Sequence, residues 1–258
     1  MGHGHASVAR RLSPGDRFEY IARYTSYSIY RHPRLYRLAM RAAYRSEYAE
    51  RYARVAAQIT APSRVVELCC GDLRLHDHLA RRGLLASYRG VDLNPSMVAH
   101  GQRRGISVQQ ADVRTLIHIP PADVVVMQAS LYQFHGTAES LLRRLWQAAG
   151  RQLIIAEPVR NLSSSRNPLV RRIGTVLSRT DEARHPFRYT ACDLVELYAR
   201  AGVPITQMSH TSRRREVVIS SVKDMAPARA PLCAAIALPR LGAISGRGSP
   251  SPASGPAC

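Results

Sequence analysis

The chain has 258 residues, and 37 basic side chains against 18 acidic ones leave a formal net charge of +19. That length fits one domain with appendages, and no run of about 18 apolar residues is present to form a membrane-spanning helix. Lys223 is the only lysine; so arginine-rich a balance fits G+C-rich coding. The excess charge favours anionic partners, but the densest basic clusters, Arg171–Arg172 and Arg213–Arg215, are short, which argues against a dedicated nucleic-acid surface.

Residues 1–15 read as a flexible leader without the apolar core of a signal peptide. From Arg17 to Ile59 the pattern is helical, interrupted at His32–Pro33, where proline ends one helix and opens the next. Eight of the twelve tyrosines fall in this stretch. Tyr20, Tyr24, Tyr27 and Tyr30 share one helical face, and Tyr44, Tyr48 and Tyr52 share another. Residues 16–59 are therefore expected to form a helical lid, with Tyr24 and Tyr27 as its first substrate contacts. For any single tyrosine, ordinary packing onto the sheet is the competing reading.

The stretch Arg64–Leu73, RVVELCCGDL, is the centre of the chain. An apolar strand over Ser63–Cys69 carries Glu67 near its end, Gly71 follows in a tight turn, and helical spacing runs over Asp72–Arg82. Strand, acid, glycine turn and helix form the first half-unit of a nucleotide-binding α/β fold. Gly71 lets the backbone pass close to a ligand, and the helix N-terminus aims backbone N–H groups at it. His76 and His78 on this helix are expected in solvent. A second strand, Tyr88–Leu93, ends in Asp92, 25 residues after Glu67, where a carboxylate can accept from two vicinal ribose hydroxyls. Asn94 caps a helix opened by Pro95 and running to about Arg103. A third strand near Ile106–Gln110 places Asp112 just past its end, near an adenine amino group.

With three acids at three successive strand ends, the stretch resembles the class I S-adenosylmethionine-dependent methyltransferases. Their first motif places glycines at alternate positions after an acid; here Cys69 and Leu73 occupy the outer two and only Gly71 is kept. The resemblance covers roughly Ala56 to Val222, about two thirds of the chain. It implies a seven-stranded mixed α/β sheet, Rossmann-like, with helices on both faces and the last strand inserted antiparallel. It also implies S-adenosylmethionine as donor and S-adenosylhomocysteine as product. The donor-binding residues it implies are Glu67, Cys69, Gly71, Asp92, Leu93, Asp112, Val113 and Gln128.

Further along, Ala122–Gln128 is nearly all apolar, as suits the centre of a parallel sheet, and Asp123 stands at its far end. The segment Ala129–His135 leaves the strand's carboxyl end, which makes His135 and Tyr132 the first candidates for proton transfer or substrate contact. Capping of the next helix is the rival role for His135. That helix spans Ala138–Ala149 and is stopped by Gly150; a fifth strand over Leu153–Ala156 leads to Glu157. Residues 159–189 form a long irregular connection that contributes Arg166, Asn167, His185, Arg188 and Tyr189 to a pocket. Glu157, Arg166, His185 and Arg188 join the two lid tyrosines as substrate-binding candidates. A helix over Ala191–Ala201, stopped by Gly202, precedes strands at Pro204–Ser209 and Glu216–Ser221. Residues 60–225 make the methyltransferase domain, and residues 226–258, rich in proline, alanine, glycine and serine, form an expected disordered tail.

The five cysteines show neither a disulfide framework nor zinc spacing, so reduced thiols in a cytoplasmic protein, with no metal, are expected. The whole reads as an enzyme methylating a small-molecule acceptor, most simply at oxygen, as a monomer or homodimer in bacterial specialised metabolism. An RNA methyltransferase, or a protein that keeps the fold without methylating, are the rivals. The absent GxGxxG disfavours nicotinamide chemistry.

Overall fold

A computed structural model describes residues 31–159 and 187–223. The leader, Tyr24 and Tyr27, Arg166, Asn167 and His185, and the tail from 226 lie outside the described residues.

The elements in chain order are α1 (Pro33–Tyr44), α2 (Glu47–Ala57), β1 (Ser63–Leu68), α3 (Arg74–Arg81), β2 (Leu85–Asp92), α4 (Pro95–Gln102) and β3 (Val108–Gln110). Then come β4 (Ala122–Gln128), a 3-10 helix (Leu131–Thr137), α5 (Ala138–Ala148), β5 (Ala149–Pro158), α6 (Ala191–Ala201), β6 (Gln207–His210) and β7 (Glu216–Val222). The seven strands form one sheet in the order β3-β2-β1-β4-β5-β7-β6. Strands β1 to β5 pair in parallel, while β7 runs antiparallel to both β5 and β6.

The apolar strands face two cores because successive side chains alternate across the sheet. In β4, Val124 and Val126 join Val65, Ile154, Ala156 and Val218 beneath α2 and α3. Val125 and Met127 point the other way, to Leu153, Ile155, Val217 and Ile219 beneath α5 and α6. Val55, Ala56 and Ile59 are part of the first of these cores. Helix α2 is therefore one of the helices covering the sheet.

Local signals place the helix ends well. Asn94 accepts the Ser96 amide at 2.9 Å, with Pro95 in the first turn of α4. Thr190 and Asp193 form a reciprocal capping box on α6, which ends at Gly202 in a left-handed conformation. Gly150, expected to stop the preceding helix, instead lies inside β5, which begins at Ala149. The reason is close strand approach: a Cβ on Gly150 would lie 3.1 Å from the Ala122 carbonyl oxygen. β2 starts three residues before the expected Tyr88, because Ser63 already pairs with Leu85. β3 is only three residues long. His76 is a further correction: its ring meets the Tyr88 ring edge-on at 4.8 Å instead of standing free in solvent.

Candidate active site

The turn joining β1 to α3 carries the first half of the site. Cys69, Gly71 and Leu73 have φ of 55°, 51° and 62°. All three positions that matched the glycine motif are thus left-handed, although two carry side chains. A non-glycine residue there costs about 1–2 kcal/mol. Leu73 is fully buried with Cys70, Val98 and Val108, which offsets that cost. Its fit depends on Gly101, where a Cβ would stand 2.9 Å from Leu73 Cδ1 and 2.4 Å from Val108 Cγ2. At Gly71 the situation is reversed, since a Cβ there would meet nothing within 4 Å. The space over Gly71 is open, as a cradle for a closely approaching ligand requires.

Asp92 closes the turn from the β2 side. Its Oδ2 accepts the Gly71 amide at 2.7 Å and its Oδ1 accepts the Asn94 amide at 2.8 Å. Each oxygen keeps a further lone pair, enough for two ligand hydroxyls. Burial pushes the Asp92 carboxyl up, and these backbone donors oppose the shift. Glu67 is buried deeper and accepts the Tyr88 hydroxyl at 2.5 Å. Burial pushes its carboxyl up to about 8, so it acts by holding β1 to β2 more than as an exposed charge.

Asp112 lies at the β3 end, engaged by its neighbour: Arg114 donates its amide at 2.9 Å and its guanidinium at 2.8 Å. That hydrogen bonding holds the Asp112 carboxyl below its usual range. Leu93, between the two acids, is 47 % exposed and offers an apolar face. Val113 differs, because its side chain is buried in the core and only its backbone can reach a ligand. The cofactor candidates on β1, β2 and β3 thus gather at one edge, while Gln128 ends β4 on the neighbouring side.

The second half of the site lies beyond β4 and β5. Glu157 is fully buried, and its carboxylate accepts the amides of Leu131 at 3.0 Å and Tyr132 at 3.2 Å. It therefore anchors the 3-10 helix through its backbone; burial pushes its carboxyl up to about 8. Tyr132 lies under the Arg188 guanidinium, whose carbon is 3.6 Å from the ring centre. His135 and Tyr132 part company here. The His135 ring packs on Phe187, 3.9 Å between centres, and lines a cavity of about 350 Å³ with Tyr189, Leu197, Glu139 and Arg200.

Several contacts escaped the sequence reading. The Tyr44 phenol is within electrostatic reach of Arg51, Arg188 and Arg215 as well as Glu216. Arg51 and Glu216 form a buried pair at 2.9 Å. Both amide atoms of Gln128 are buried without a hydrogen-bond partner among the described residues. Arg37 and Tyr48, on α1 and α2, reach Asp72 in the donor turn. No local motif marks any of these. Only the tyrosine spacing of α2 hinted at an occupied inner face.

Comparison with known proteins gives a matching family model, relatives and similar folds. A family model described as a methyltransferase domain matches residues 65–151, about a third of the chain. The trans-aconitate 2-methyltransferase of Methylobacterium nodulans is 37% identical over 119 residues, 45% of each chain. That of Mycobacterium tuberculosis strain H37Ra is 33% identical over 110 residues, 43% of this chain and 42% of its own. The chain therefore spans less than half the length of the curated relatives it matches. Among solved structures, an S-adenosylmethionine-dependent methyltransferase from Mesorhizobium loti superposes with a TM-score of 0.51 at 15% identity, covering 67% of this chain and 98% of that one. A [4+2]-cyclase superposes equally well, at 0.51 and 14% identity over 70% of this chain and 82% of its own. The fold alone therefore does not set the reaction.

Proposed function

We propose that the chain is a class I S-adenosylmethionine-dependent methyltransferase and that it methylates an oxygen of a small acceptor bearing a carboxylate. The observation that carries this reading is Arg188. It is a half-buried guanidinium stacked on Tyr132, with Nη1 donating to the Phe187 carbonyl at 2.6 Å and Glu157 within electrostatic reach. A planar fork of donors held against an aromatic face is suited to a carboxylate. The trans-aconitate methyltransferases among the relatives fit the same class of acceptor.

The sulfonium of S-adenosylmethionine supplies an electrophilic methyl carbon. The chain's share is alignment and exclusion of water. Asp92 and the Gly71 turn hold the donor, with Leu93 against its ring and Asp112 beside it. Arg188, Tyr132 and Tyr44 orient the acceptor. A carboxylate is already ionised at neutral pH and needs no base, whereas a hydroxyl acceptor would call on His135. Tyr24, Tyr27, Arg166 and His185, outside the described residues, remain candidates for the same pocket, and Glu157 supports it from below.

The test is release of S-adenosylhomocysteine with a panel of small di- and tricarboxylic acids, trans-aconitate among them, beside neutral phenols and RNA. Turnover with an acid, giving an alkali-labile methyl ester, is the expected result. Turnover confined to RNA or to neutral phenols would overturn the reading.

A further inference from the structure

We propose that Arg37, on the first described helix, is a positioning residue for the methyl donor. It acts by clamping the turn whose outer glycines are replaced. The proposal rests on the donor-site reading above. Arg37 Nε donates to Asp72 Oδ2 at 2.9 Å, and its terminal Nη2 donates to the Asp72 carbonyl oxygen at 3.0 Å. One guanidinium thus grips both the side chain and the backbone of the residue between Gly71 and Leu73. The Tyr48 hydroxyl adds a longer contact to the same Oδ2, at 3.4 Å. Asp72 is 3% exposed, and Arg37 supplies its only guanidinium ion pair among the described residues.

The need for a clamp follows from the backbone. Cys69 and Leu73 hold left-handed conformations that glycine adopts freely and that other residues resist. Asp92 holds the turn from the β2 side through the Gly71 amide. On its other side Leu73 donates its amide to the Cys70 carbonyl at 3.1 Å and accepts the Asp77 amide of α3 at 3.1 Å, while the side-chain bonds to the turn come from α1 and α2. The bidentate fork is the geometry a lysine cannot reproduce. The N-terminal helices, expected to close over the acceptor, therefore also shape the donor cradle, and they do so from about 35 residues away in sequence.

The experiment uses the full chain and two readouts: calorimetric affinity for S-adenosylhomocysteine, and amide hydrogen exchange of residues 69–73 without ligand. In Arg37→Gln, the expected result is at least fivefold weaker binding and at least fivefold faster exchange in the turn, with the melting transition still cooperative. In the Cys69→Gly background, where one left-handed position becomes cost-free, the same substitution should weaken binding less than twofold. Should Arg37→Gln fold poorly, Asp72→Asn, which keeps the side-chain shape and removes the charge pairing, replaces it with the same expectations. Unchanged exchange in the turn, or an equal loss of affinity in both backgrounds, overturns the clamp. If the wild-type chain binds no S-adenosylhomocysteine, the donor-site reading fails, and the exchange measurement still decides the clamp.

Discussion

The Gly71 amide donates to Asp92 Oδ2 at 2.7 Å, so the acid at the end of β2 ties down the turn at the end of β1. One carboxylate thereby holds the cradle and keeps lone pairs facing it. Asp92→Ala should lose both services. Calorimetry with S-adenosylhomocysteine is expected to show a loss of about 1.5–3 kcal/mol, the range for hydrogen bonds to a charged group. A folded variant with wild-type affinity would remove Asp92 from the donor site.

Gly71→Val should abolish donor binding while the fold persists. The new side chain enters open space, so nothing in the protein collides with it. It fills the ligand's path, and the left-handed φ of 51° adds about 1–2 kcal/mol of strain. A melting curve and a binding isotherm separate the two effects; normal binding would place the donor elsewhere.

Leu73→Gly restores the family's glycine and is nevertheless expected to destabilise. Relief of left-handed strain returns about 1–2 kcal/mol. Loss of a fully buried leucine costs about 2–5 kcal/mol, and the freed glycine adds about 0.5–1 kcal/mol of backbone entropy. Burial wins, and chemical denaturation should show a net loss of roughly 0.5–5 kcal/mol, centred on about 3, by these magnitudes. A more stable variant would mean that strain, not packing, dominates at this position.

Arg188→Gln should raise the acceptor KM at least tenfold, about 1.4 kcal/mol, and leave donor affinity within twofold. The substitution removes the charge over Tyr132 and keeps a hydrogen-bonding side chain. Equal KM values in initial-rate measurements would take the acceptor's anion away from this arginine.

Stability should fall as pH rises from about 5 to 9. Glu67 and Glu157, each pushed up to about 8 by burial, bind protons in the folded chain at pH values where the unfolded chain has released them. Their contribution is present below about 4.5 and disappears as pH passes through 8. Glu67→Gln keeps an acceptor for the Tyr88 hydroxyl and cannot ionise. Its melting temperature should therefore decline less than the wild type's over this range; parallel curves would show that Glu67 titrates as an ordinary carboxyl.

Much of the fold was legible because its signals are local. The apolar run of β4, the Asn94–Pro95 cap, the Gly202 stop and the three acids at strand ends each depend on a few neighbouring residues. Gly150 was misread because its role, close approach to Ala122, involves a partner 28 residues away.

The acids Glu67, Asp92 and Asp112 and the glycine turn were determined by the sequence itself, because strand polarity alone puts the ends of β1, β2 and β3 on one edge. Tertiary structure alone decided what those groups touch. It turned Glu157 inward to two backbone amides, sent His135 to Phe187 and Tyr132 to Arg188, and brought Arg37 across to Asp72. The physical reason is that backbone periodicity is written in neighbouring residues. A buried polar group, by contrast, takes whichever partner the packed elements deliver to it, and that partner can lie anywhere in the chain.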